Sequence, residues 1–177
     1  MLDSIDSGSG LFPLLEAVAR ETGLTTILAL ENDIYAQYVH VVMGGDVLQF
    51  NVQPGTRRVL CMSGLGWAML ATRPDDDIAR LVQRTHARLV QRTHARLARG
   101  GQPVDAAEVL LRVRQTRAQG YAFSRGTVTE GVGIVGVALP PGASGERLAI
   151  GVGGPVASLE RALPRLVGRL QARVATL

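Results

Sequence analysis

The 177-residue chain has no lysine: all 19 of its basic side chains are arginine. Together with the abundance of Ala, Gly, Val and Leu, that pattern fits the codon bias of a GC-rich genome, so individual arginines need not reflect selection for the guanidinium fork. A single cysteine, Cys61, excludes an internal disulfide framework and a multi-cysteine zinc site. Aromatics make up only 4% of the residues, so the core must be built from aliphatic side chains. No apolar run is long enough to span a bilayer, and MLDSIDSGSG at the start lacks a basic-then-apolar signal pattern. The expectation is a soluble, cytoplasmic protein with no membrane contact. Residues 1–10 read as a flexible leader or linker stub and residues 11–177 as one domain.

Histidine is also scarce. His40 falls in a strand pattern, while His86 and His94 lie eight residues apart on one helix. That spacing turns about 80° around an α-helix, so the pair does not form a metal-binding edge. Glu130 stands without a second carboxylate with which to divide acid and base roles. GVGIVGV and GVGG have glycine spacings like those of nucleotide loops, but lack the strand–loop–helix setting and the phosphate-binding lysine. The sequence therefore predicts no catalytic residue, metal or cofactor, and a protein that is not an enzyme.

The sequence carries clear signals for secondary structure. LFPLLEAVARET, Leu11–Thr22, is helical in period and is stopped by Gly23. TTILALEND and IYAQYVHVV read as a hairpin, the Gly44–Asp46 turn leads into a third strand, VLQFNV, and Pro54–Arg58 reads as another turn. Ser63 is placed to cap a helix reaching Ala71, and Asp75–Asp77 after Pro74 start the next. Gly100–Pro103 breaks that helix, Asp105 caps a further one, and Gly120 ends it. Two glycine-rich strands follow, then a helix from about Val156 to Thr176 that Pro164 should kink or restart. The order predicts an α+β fold, an antiparallel sheet flanked by helices.

Within the second long helix, ARLVQRTH occurs twice in succession from Ala79, followed by ARLARG. Solenoid repeats need about twenty residues or more, so an eight-residue echo is no repeat architecture. It preserves an amphipathic helix. Ile78, Val82, Leu89, Val90 and Leu97 fall within an arc of about 120°, and six arginines between Arg80 and Arg99 spread over the other side. A tandem duplication is the simplest source. The core needs one copy, so the extra turns should protrude or loop out. The basic face leaves direct nucleic-acid binding through residues 79–99 open as an alternative function.

SGLGWAMLA, RVRQTRAQGYAFSRGTVTEGVGIVGVALP and LAIGVGGPVASLE, in that order and spacing, resemble the IclR family of bacterial transcriptional regulators. The similarity runs from Leu11 onward. It implies a GAF-like effector-binding domain, preceded in such regulators by a winged helix-turn-helix that contacts the operator and is absent from this chain. It also implies homodimers or homotetramers. The resemblance places an effector at Ser63, Gly64, Leu65 and Gly66, where a helix start offers free N–H groups. Ser124 then stands where the family commonly has an acid, Ile134 where a cysteine is frequent, and Gly151 and Gly153 where serines often hold small carboxylates. Those departures imply a larger, more apolar effector, such as an aromatic or aliphatic carboxylate. The alternative is that the glycines only permit close strand packing. An oligomerisation module without a ligand remains a third reading.

Overall fold

The computed structural model describes residues 10–45, 52–94, 104–142 and 145–177, with the side chains of residues 92–94 excepted. Glycine ends two of the helices as their positions require. Gly23 (φ 68°) closes α1, Leu11–Thr22, and Gly120 (φ 80°) closes α4, Ala106–Gln119. Both positive φ values lie in the left-handed region that glycine enters without steric penalty. The hairpin is β1, Thr25–Asn32, with β2, Tyr35–Val42, and Asp33 takes φ 57° at its tip.

A short strand β3, Arg57–Val59, pairs with β2, and the chain then tightens into a 3₁₀ turn, Leu60–Met62. This corrects the expectation of a turn across Pro54–Arg58: the turn occupies Pro54 and Gly55 alone. Two backbone hydrogen bonds, Gly55 N–H to Tyr38 C=O (2.7 Å) and Tyr38 N–H to Thr56 C=O (2.8 Å), extend the pairing to the edge of β2. The strand expected at VLQFNV falls mostly outside the described residues, and Val52, its last residue, is in no strand.

Helix α2, Gly64–Leu70, is followed by α3, Asp75–His94, and α4; the break expected at residues 100–103 lies outside the described residues. Strands β4, Ala122–Arg125, β5, Val132–Ala138, and β6, Leu148–Pro155, lead into α5, Val156–Val174. Contrary to expectation, α5 runs unbroken through Pro164. Leu159, Leu166 and Leu170, on either side of the proline, are buried in the core beside the sheet, which favours a continuous helix there.

The six strands form one antiparallel sheet in the order β3-β2-β1-β6-β5-β4. Helices cover both faces, as the two apolar clusters show. On one side Leu28, Val135, Ile150 and Val152 meet Leu11, Leu15 and Val18 of α1 and the leucines of α5. On the other, Ile27, Ala29, Ala36, Tyr38 and Ala149 meet α2, Ile78, Leu81 and Val82 of α3, and Val109 and Val113 of α4. Strand residues alternate between the faces, so each strand contributes to both cores. The candidate site lies on the α2 side.

Among the described side chains of the repeat helix, the fully buried ones lie in the first copy and the residues just before it. Leu81, Val82 and Thr85 are buried, whereas Ala87, Arg88, Val90 and Gln91 of the second copy are exposed and Leu89 is half-buried. The expected place of Val90 on the inward arc is therefore corrected. The buried stripe centres on Ile78, Leu81, Val82 and Thr85, and Val90 turns away from it.

Candidate effector pocket

The local sequence around α2 brings its backbone unusually close to its neighbours. Ser63 Oγ accepts the Gly66 N–H at 3.1 Å, and the Ser63 carbonyl accepts the Trp67 N–H at 2.9 Å, which fixes the first turn. The Trp67 indole N–H donates to the Cys61 carbonyl at 2.8 Å, tying the helix to the preceding 3₁₀ turn. A methyl group on Gly66 would overlap the Leu60 carbonyl, so only glycine lets this segment double back so tightly.

Between α2, the sheet and the β4–β5 loop lies a cavity of about 70 Å³. Ser63 and Gly64 form one wall, and Ser124 of β4 with Ile134 of β5 form another, the two strand residues being direct partners in the ladder. Tyr38 of β2 and Arg58 of β3 close the far end, and Thr127, Val128 and Thr129 form the rim. Ser124 is buried, and its hydroxyl has no hydrogen-bond partner among the described residues. The Ser63 hydroxyl accepts a bond as the cap, which leaves its own proton free to donate.

Arg58 is half-buried and paired across the ladder with Ala36, so its side chain leaves the sheet on the same face as Ala36 and Tyr38. No carboxylate among the described residues lies within ion-pair distance of it. Burial pushes the neighbouring Tyr38 phenol up to about 12, against the opposing pull of the Arg58 guanidinium. At neutral pH the wall therefore presents one fixed cation and a neutral phenol. An arginine without a carboxylate, beside two serine hydroxyls in a concave site, is suited to an anionic ligand.

The eight residues singled out in the sequence divide into two groups. Ser63, Gly64, Ser124 and Ile134 meet at the cavity, whereas Leu65, Gly66, Gly151 and Gly153 do not line it. Leu65 is fully buried and seats in a notch made by the cross-strand pair Gly136 and Gly151. A Cβ on Gly136 would come within 2.8 Å of Leu65 Cδ2, and one on Gly151 within 2.6 Å. The space expected at Gly151 is thus already filled by the chain's own leucine. Gly153 is buried in the ladder opposite Ile134 and Thr25.

Sequence reasoning passed over Arg58 and the rim threonines. The turn assigned to Pro54–Arg58 hid the strand alternation that sends Arg57 and Arg58 to opposite faces, and that alternation was the available signal. For Thr127 and Thr129 no local signal existed.

The described arginines of the repeat helix meet acids, Arg80 with Asp77, and Arg84 (3.6 Å) and Arg88 (2.7 Å) with Asp33, which reduces the net charge that face presents. Cys61 is buried beside Thr85, and burial pushes its thiol up to about 11, so it is protonated and unreactive at neutral pH. Among the described residues no group of three His, Cys, Asp or Glu could hold a metal ion, and no helix is long and apolar enough to cross a membrane.

An antiparallel six-stranded sheet covered by helices on both faces is an α+β architecture of the GAF-like class. The chain matches the family of bacterial transcriptional regulator IclR C-terminal domains over residues 1–176, and it belongs to that family. Its fold is that of the effector domain of the transcriptional regulator IclR from Acinetobacter sp. ADP1, at 28% identity and TM-score 0.79, covering 98% of this chain and 96% of that one. The C-terminal domain of the E. coli regulator KdgR shares the fold at 17% identity and TM-score 0.74, with 97% and 94% covered. An IclR family regulator from Brucella abortus does so at 22% identity and TM-score 0.73; the match covers 99% of this chain but 62% of the Brucella protein. No curated protein matches the sequence significantly.

Proposed function

We propose that this chain is the effector-sensing part of an IclR-type regulator, and that its effector is an organic acid held in the cavity between the sheet and the start of α2. The observation that carries this reading is Arg58, a half-buried cation in the cavity wall with no carboxylate partner among the described residues. A ligand carboxylate accepts from Arg58, while the hydroxyls of Ser63 and Ser124 supply further hydrogen bonds. Gly64 keeps the backbone open to it, and Ile134 favours an aliphatic or aromatic body over a second polar group. In this reading the ligand acts on DNA through a winged helix-turn-helix outside these 177 residues. The greater length of the Brucella relative supports that arrangement. Homodimers or homotetramers and a cytoplasmic location belong to the same proposal, and sedimentation of the purified chain tests the assembly.

Charge-assisted hydrogen bonds are worth about 1.5–3 kcal/mol, so Arg58→Gln should weaken acid binding roughly ten- to hundredfold. Titration calorimetry with benzoate, hexanoate and glyoxylate measures this directly. Tight glyoxylate binding with no uptake of the larger acids would reject the apolar-body part of the reading. Acid binding indifferent to Arg58→Gln would reject the site itself.

A further inference from the structure

A second cavity, of about 220 Å³, adjoins the first, which holds about 70 Å³, and Thr127 of the β4–β5 loop is a wall of both. It lies between the 3₁₀ turn, α2 and the first turns of α4, with Met62, Trp67, Val104 and Val109 as its apolar surfaces. The cation and the acids around it lie close to one another, although the buried Arg112 Nε has no hydrogen-bond partner among the described residues. Arg112 sits over the Trp67 ring at 5.5 Å and 3.7 Å from Glu108, and the Asp105 carboxylate caps α4 by accepting the Ala107 N–H at 2.9 Å. Among the described residues the larger chamber therefore has apolar area and an arginine with an acid 3.7 Å away, and the smaller has Arg58, which no acid pairs, and little room.

We infer that the two chambers form one bipartite site for an amphiphilic carboxylic acid, its carboxylate in the small chamber at Arg58 and its hydrocarbon body past Thr127 against Trp67 and Val109. This rests on the effector reading above and specifies the ligand class: a monocarboxylate with an extended apolar tail, not a short oxo-acid. The loop that carries Thr127 is bounded by Gly126 (φ 66°) and Gly131 (φ 73°), so the partition between the chambers hangs on two residues in the left-handed region.

Trp67 is the only tryptophan in the chain and lines the second chamber but not the first, so its emission reports chiefly on the second. The test is a straight-chain series of acetate, butyrate, hexanoate and octanoate, followed by calorimetry and by tryptophan fluorescence. Affinity should rise about two- to fourfold per methylene once the chain passes Thr127, the increment expected for burying a CH₂. Trp67 emission should change with hexanoate and octanoate and stay constant with saturating acetate. Val109→Phe, which fills the chamber, should flatten the chain-length gradient and leave acetate affinity unchanged. If that variant does not fold, Met62→Phe at the half-exposed edge of the chamber serves the same purpose. An affinity independent of chain length, or silent Trp67 emission with octanoate bound, would overturn the inference. Arg58→Gln separates the two levels: it weakens every acid alike if the carboxylate anchor is correct, whereas Val109→Phe acts on the gradient alone.

Discussion

The doubled ARLVQRTH segment offers an internal control that few proteins provide, because Leu81 and Leu89 sit in the same local sequence and the same helix. Intrinsic propensity is equal at the two positions, so any difference between Leu81→Ala and Leu89→Ala measures tertiary packing. Leu81 is 3% exposed within the core formed by α2, α3 and α4, and truncating such a leucine removes its transfer energy and leaves a cavity, at about 3 kcal/mol. Leu89 is only half-buried, and its loss should cost under about 1 kcal/mol. The valines should differ in sign as well. Val82 is 4% exposed, so Val82→Ala costs about 1–2 kcal/mol even after alanine's better helix propensity. Val90 is 39% exposed, and Val90→Ala should be neutral or slightly stabilising by the same propensity term. In a chain of this size each kcal/mol moves Tm by about 2–4 °C, so thermal unfolding by circular dichroism resolves both pairs. Deleting residues 87–94 completes the experiment. Ala95, Arg96 and Leu97 then follow His86, restoring the residue types of Ala87, Arg88 and Leu89, and Tm should shift by no more than about 2 °C. Equal losses at Leu81 and Leu89, or a fall of more than about 6 °C on deletion, would show that both copies are structural.

Four further outcomes follow from the geometry. Gly66→Ala would drive a methyl into the Leu60 carbonyl, backbone against backbone, and should lower stability by more than about 2 kcal/mol in denaturant unfolding. The same change at Gly64 meets the Ser124 hydroxyl at 2.9 Å at the cavity wall and should reduce acid binding with a smaller loss of stability, as calorimetry beside melting would show. Cys61 should resist iodoacetamide in the folded chain at pH 8 and react in urea, since burial holds its thiol near 11; rapid native alkylation would contradict that. Asp75 accepts from Arg117 (2.6 Å) and Arg114 (3.1 Å), which hold its carboxyl below the usual range. A depressed folded-state value stabilises above the unfolded carboxylate range and is lost as pH falls through the folded value. Asp75→Asn should therefore lower Tm at pH 7, with the difference from the parent chain closing in acid.

What could be read in advance was local in physical origin. Ser63 and Asp105 cap helices because a short oxygen-bearing side chain reaches the free N–H groups two or three residues on, and the structure shows both bonds. Gly23 and Gly120 end helices because only glycine takes their positive φ cheaply. Where pairing partners decided the outcome, the sequence misled. Arg57–Val59 is a strand because the exposed edge of β2 is there to pair with it, and nothing in PGTRRV records that edge. The proline signal in α5 was real, but the apolar face that runs through it, from Leu159 to Leu170, has a sheet to bury against, and packing outweighed propensity.

The site follows the same division, with a consequence for how ligand preference is inferred. Ser63, Gly64, Ser124 and Ile134 converge because a capped turn and a cross-strand pair bring them together, both arrangements being readable as motifs. Gly151 was expected to enlarge the pocket because glycine replaces a residue with a side chain, an argument that counts the volume removed at one position. The structure shows that volume occupied by Leu65, some way along the chain but adjacent across the core, so the glycine serves packing and leaves pocket size unchanged. Room for a larger ligand lies instead beyond Thr127, against a tryptophan and a valine contributed by two helices. In the bipartite site proposed above, specificity is therefore set less by the strand residues assigned to the ligand's polar head than by how α2 and α4 stand apart. Substitutions at Val109 should accordingly change which acid is preferred more than substitutions at Gly151, which should change stability first.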